Sequence, residues 1–142
     1  MTVTVAERVE RIGGVQTRVL EREGDGPPVL LLHGFADSAD TWRPLMRAME
    51  RDERHLVAVD LPLFGRADRP STRPVLPMLD DFTAALLDRH AAAGPPMIVG
   101  NSLGGLLAMR AAQRPGSPVR GIVPIGPAGL GLQSWLGIVE RT

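Results

Sequence analysis

Four short, mainly apolar runs, Val29–Leu32, Leu56–Leu61, Met97–Val99 and Val119–Ile125, limit what this chain can fold into. Each is too short for a buried helix and too continuous for a strand with one wet face. Runs of this kind suit strands covered on both sides, as in a parallel sheet. The segments between them carry helical spacing. Trp42, Leu45, Met46 and Met49 fall at i, i+3, i+4 and i+7, with Asp40 or Thr41 as the expected cap. Pro77–His90 reads as a second helix, with Pro77 in its first turn, Asp80 and Asp81 at its positive end, and Leu79, Phe82 and Leu86 facing inward. A third helix is expected from Leu103 to about Arg114, closed by Pro115-Gly116. Strands alternating with helices predict an α/β fold, a mostly parallel sheet with helices on both faces. Ahead of it, Thr4–Ile12 and Val15–Glu23 alternate in polarity around Gly13-Gly14, which predicts an N-terminal antiparallel hairpin. Gly24–Pro28 and residues 62–77 read as loops.

Residues 1–126 form one expected unit. From 127 onward the character changes to an apolar tail, with Leu130, Leu132, Trp135, Leu136 and Ile138 among glycines, expected to begin a cap or linker. Sixteen basic residues balance sixteen acidic ones, which argues against nucleic acid or a membrane surface as partner. There is no Cys, and His33, His55 and His90 are scattered without ligand spacing, so neither a thiolate nor a histidine-rich metal site is expected. The first residues lack the basic start and apolar run of a signal peptide, and no apolar stretch has the length of a membrane span. A cytoplasmic location is the default expectation.

The third apolar run leads directly into Gly100-Asn101-Ser102-Leu103-Gly104-Gly105, and a helix pattern follows. A Ser at a sharp strand-to-helix turn is pushed out of the backbone as an exposed nucleophile, and the residues two before and two after it must be small. The helix start beneath it favours a developing negative charge. The competing reading is a Gly-rich turn with an incidental Ser; the strand before and the helix after favour the elbow. His33-Gly34-Phe35 ends the first apolar run. Gly34 lets the chain turn there, so that the Phe35 and Leu103 N–H groups are candidates for a two-donor oxyanion hole. The His33 side chain is read as a structural histidine ending a strand.

Three segments together resemble the α/β-hydrolase fold superfamily: VLLLHGF its oxyanion loop, VAVDLPLFGRADRP its D-x-P-G-x-G-x-S segment, and IVGNSLGG its nucleophile elbow. The resemblance implies the N-terminal portion of an α/β-hydrolase core, with Ser102 as nucleophile and Gly34, Gly100, Gly104 and Gly105 as support. Leu63 and Ala67 depart from the pattern, standing where the family has Gly and Ser, which puts the local loop conformation in question. Asp60 is, by resemblance, structural rather than a triad acid. The family's order places an acid and then a His after the Ser, yet no His follows Ser102 and Glu140 is the only acid. His55 and His90 read as surface residues away from the elbow. The implied activity is hydrolysis of a small ester, thioester or related carbonyl substrate through a Ser102 acyl-enzyme, esterase-like or lipase-like, which needs no cofactor or metal, with this chain alone expected to be inactive. A carbon–carbon hydrolase and a non-catalytic or truncated relative with a binding role are the alternatives. Without further strands, Val119–Ile125 would be a bare sheet edge through which copies self-associate.

Overall fold

The computed structural model of the chain describes residues 4–129. The apolar residues Leu130 to Ile138, and Glu140, lie outside the described residues. Strands β1 (Ala6–Ile12) and β2 (Val15–Arg22) form the expected hairpin, with Ile12 paired to Val15 across a two-residue turn. Gly13 and Gly14 both take positive φ, +54° and +81°, as a turn of this hand requires. Strand β3 (Asp25–Leu32) starts earlier than its apolar run. Asp25 pairs with Arg54, and a register irregularity separates that contact from the ladder beginning at Val29. Part of the expected loop at Gly24–Pro28 is therefore strand, because backbone pairing does not require apolar side chains.

Strands β4 (Arg54–Val59), β5 (Met97–Asn101) and β6 (Gly121–Ile125) complete one six-stranded sheet of order β1-β2-β4-β3-β5-β6. The β4, β3, β5 and β6 ladders are parallel, while β2 meets β4 antiparallel. Successive residues of β3 go to opposite faces. Leu30 and Leu32 pack with helices α2 (Val75–His90) and α3 (Leu103–Gln113), through residues such as Leu79, Phe82 and Leu107. Val29 and Leu31 pack on the other face with Trp42 and Met46, beside the short helix α1 (Arg43–Ala48). This two-sided burial is why the run carries no polar residue.

Helix boundaries differ from the sequence reading in two places. A 3-10 turn over Ala39–Trp42 precedes α1, and its cap is Ser38, whose hydroxyl accepts from the Asp40 N–H at 3.3 Å. Asp40 and Thr41 are therefore not the cap; the Asp40 carboxylate is held instead by Arg18 and Arg43. Helix α2 begins at Val75, which moves Asp80 and Asp81 beyond its first turn. Asp80 instead receives Arg110 of α3, with contacts of 2.6–3.1 Å that join the two helices. Finally, Arg22 is fully buried, and its guanidinium donates to the Met46, Asp52 and Arg54 carbonyls as well as to that of Met49, satisfying the end of α1 and the turn after it.

Candidate active site

Ser102 sits between β5 and α3 with φ 52° and ψ −110°, a backbone conformation that L side chains rarely adopt. Hydrogen bonds fix it. Its N–H donates to the Ile125 carbonyl at 2.9 Å, and its own carbonyl accepts from the Leu106 and Ala128 N–H groups at 3.0 Å each. The strand end and helix start approach so closely that side chains are excluded. A Cβ on Gly100 would lie 2.1 Å from the Gly104 carbonyl oxygen, and one on Gly104 would lie 2.1 Å from that of Leu32. Gly105 is less constrained, with its nearest neighbours 3.1 Å away. Leu103 is the first residue of α3, so its N–H belongs to the set that a helix cannot satisfy internally.

The turn after β3 lies against the elbow. A Cβ on Gly34 would stand 3.3 Å from the Ser102 Cβ. Phe35 follows, its ring edge-on to Phe64 at 5.4 Å. His33 is fully buried and committed at both nitrogens: Nε2 accepts from the Leu61 N–H at 2.9 Å, and Nδ1 lies 2.7 Å from the Gly34 carbonyl. That pairing assigns the proton to Nδ1 and a neutral ring, and burial pushes the imidazole below its ordinary pKa. The side chain thus pins the end of β3 to the end of β4.

Asp60 does the same from the other side. Its carboxylate is fully buried and accepts from the Ala39 N–H at 2.7 Å, the Arg66 N–H at 2.9 Å and Arg18 Nε at 3.0 Å. Burial alone would raise this carboxyl; the hydrogen bonds from Arg18, Ala39 and Arg66 outweigh it and hold the group below the usual carboxylate range. Arg18, buried on β2, also reaches Asp40 at 2.8 Å and is held above its ordinary value. One buried charge pair therefore joins the hairpin, the turn after β3 and the loop after β4. Sequence reading found Asp60 but not Arg18, because the two stand 42 residues apart and nothing in the local pattern of β2 marks Arg18.

Leu63, which departs from the family pattern, takes a backbone conformation that favours glycine. Leu63 keeps a positive φ of 78°, and with Ala36 (57°) and Ser102 (52°) it completes the set of non-glycine residues in that region among the described residues. All three lie at the C-terminal end of the parallel strands. His55 and His90 lie elsewhere. His55 precedes Leu56, which pairs with Val29 at the opposite end of the ladder. Both rings are half-buried rather than on the surface, edge-on at 6.3 Å, with His55 Nε2 on Glu21 Oε1 at 2.5 Å. Among the described residues no group of His, Cys, Asp or Glu could hold a metal ion, and no helix is long and apolar enough to cross a membrane.

The alpha/beta hydrolase fold family matches residues 27–141. The chain belongs to the α/β-hydrolase fold family. Among its relatives is ABHD14B of Pongo abelii, named for a proposed protein-lysine deacylase activity, 33% identical over 138 residues, 89% of this chain and 65% of that protein. The 2-hydroxy-6-oxo-6-(2'-aminophenyl)hexa-2,4-dienoic acid hydrolase of Metapseudomonas resinovorans is 34% identical over 131 residues, 87% of this chain and 43% of that enzyme. A pimeloyl-[acyl-carrier protein] methyl ester esterase of Shewanella woodyi is 32% identical over 123 residues, 84% of this chain and 44% of that enzyme. Of the solved structures, a serine hydrolase involved in carbazole degradation superposes with TM-score 0.79 at 30% identity, covering 89% of this chain and 50% of that one. This α/β-hydrolase chain thus spans about half the length of such relatives. Its sheet, antiparallel at the hairpin and parallel from β4 to β6, is a partial core of the family fold.

Proposed function

We propose that this chain carries the nucleophile half of a serine hydrolase acting on a small ester, thioester or related carbonyl compound. The carrying observation is the backbone of Ser102, held at positive φ by three hydrogen bonds at the start of α3. In this reading the Ser102 oxygen bonds to the substrate carbonyl carbon, and the carbonyl electron pair moves onto its oxygen. The Phe35 and Leu103 N–H groups receive that oxyanion. Collapse expels the leaving group and leaves an acyl-serine that water hydrolyses.

The hydroxyl proton needs an acceptor. Among the described residues His33 has both nitrogens engaged, and His55 stands at the far end of the parallel ladder. We therefore infer that the chain by itself turns over ester slowly. A carbon–carbon hydrolase is the second reading, favoured by the likeness to the dienoic acid hydrolase. The test is fluorophosphonate labelling followed by peptide mapping, together with p-nitrophenyl butyrate turnover. The expected adduct is on Ser102 and is absent from the Ser102→Ala variant. An adduct on another serine, or unchanged labelling of that variant, refutes the nucleophile assignment. Turnover at ordinary esterase rates, abolished by Ser102→Ala, would reveal a base within the chain.

A further inference from the structure

A cavity of about 640 Å³ opens beside the turn that follows Phe35, a size suited to a small organic ligand. Leu63 and Phe64 are apolar residues of its lining, and Ala36, two residues after the Gly34 that approaches Ser102, lines it too. Arg69 and Arg73 line the same cavity. Two lining residues, Ala36 and Leu63, hold positive φ without being glycine. Backbone strain that a glycine would relieve, concentrated around one cavity, points to a role for the side chains kept there.

The charges in and around this cavity are unequally committed. Asp37, the one carboxylate lining it, already accepts the Ser38 N–H at 2.8 Å. The neighbouring Asp68 carboxylate accepts the Gln16 N–H at 2.9 Å. Arg73 lines the cavity as well and donates through one nitrogen to the Thr72 carbonyl at 2.9 Å. Arg69 makes no ion pair among the described residues, whereas Arg66 nearby is paired with Glu7 at 3.0 Å. The loop carrying these arginines is anchored by Leu63 N–H to Asp68 carbonyl at 3.0 Å and Asp68 N–H to Gln16 carbonyl at 2.8 Å. An apolar wall sharing one cavity with two arginines matches a ligand with a hydrocarbon stem and a carboxylate end, since the planar fork of Arg fits a carboxylate.

We propose that Arg69 and Arg73 form a carboxylate subsite beside the Ser102 centre, with Leu63 and Phe64 packing the stem of the ligand. This inference rests on Ser102 as the nucleophile only for what it says of the substrate: a carbonyl compound with a second, non-reacting carboxylate. The spacing follows from the chain. Gly34 touches Ser102, and Ala36 lies two residues further on, at about 3.8 Å per residue. The Ala36 wall of the cavity therefore lies within about 10 Å of Ser102, a span that a suberate monoester can cover.

The test is calorimetric titration of the whole chain with monomethyl suberate and with dimethyl suberate, which differ only in the anionic end. The monoester is expected to bind about tenfold more tightly at low salt, an advantage that shrinks as salt rises. The Arg69→Gln/Arg73→Gln variant, altered only at exposed side chains and checked by an unchanged urea midpoint, is expected to bind the two esters equally. Ser102→Ala is expected to keep the preference. Equal binding by the unaltered chain, or a preference that survives in the double variant, overturns the subsite. Failure of fluorophosphonate labelling at Ser102 with the preference intact overturns the hydrolase reading instead, so the two are separable.

Discussion

Replacing Arg18 by Met tests the buried charge pair that holds the loops around the site. The substitution keeps much of the hydrophobic stem and removes the guanidinium. Asp60 then retains the Ala39 and Arg66 N–H groups at 2.7 and 2.9 Å but has no counter-charge, in a position with no solvent exposure. Stranding one partner of a buried pair costs about 3–5 kcal/mol, and the two remaining N–H donors put the expectation near the lower end, about 3 kcal/mol. Loss of the Asp40 contact adds at most about 1 kcal/mol, because that carboxylate is half exposed. Asp60→Asn leaves Arg18 its bond to the half-exposed Asp40 carboxylate at 2.8 Å, so it is expected to cost less, on the order of 2 kcal/mol. The double variant has no stranded charge, so its loss should fall short of the sum by about 2 kcal/mol. Urea unfolding of the four proteins measures this. Losses below about 1 kcal/mol, or strict additivity, would show that the pair does not join the loops as described. The pH dependence has a definite sign. The Asp60 carboxyl is depressed in the fold, so its contribution is complete above the unfolded carboxyl pKa of about 3.9 and is lost as pH falls through the lower folded value. Arg18→Met should remove that acid limb of the stability profile.

Gly104→Ala should abolish Ser102 labelling and cost at least about 2 kcal/mol, since its methyl would lie 2.1 Å from the Leu32 carbonyl oxygen; a soluble variant that labels normally would contradict the packing. Leu63→Gly should raise the urea midpoint through about 1 kcal/mol of relieved strain at φ 78°, less whatever packing its half-buried side chain supplies; a fall of more than 1 kcal/mol would show that packing dominates. Strand β6 pairs only with β5 among the described residues, and Val123 and Ile125 are 44% and 47% exposed. A second copy of the chain is therefore expected to pair along this edge at micromolar concentration, and Val123→Lys/Ile125→Lys should weaken it. Light scattering that finds a monomer with no dye binding to apolar surface would refute this.

The local reading succeeded where one physical requirement acts on neighbouring residues. Val29–Leu32 could only be a strand covered on both faces, and Gly13-Gly14 supplied the φ signs of a two-residue hairpin turn. Gly100 and Gly104 mark the close approach at Ser102 in the sequence itself, because no larger residue fits that spacing. Sequence alone therefore determined the α/β layering, the order of the elements and the position of the elbow. Tertiary structure decided what depends on residues distant in the chain. The roles of Arg18 and Arg22 were illegible because each partner lies on another element, and a lone Arg in an alternating strand reads as a solvated charge. Asp80 looked like a helix-dipole residue until α3 brought Arg110 against it. Leu63 put the loop conformation in question, and only the fold shows it at a glycine-like φ of 78° with its N–H on the Asp68 carbonyl. Short-range sterics and periodicity act within a few residues and can be read from the order of side chains, whereas charge pairing and close contacts are set by distances that exist only once the sheet has formed.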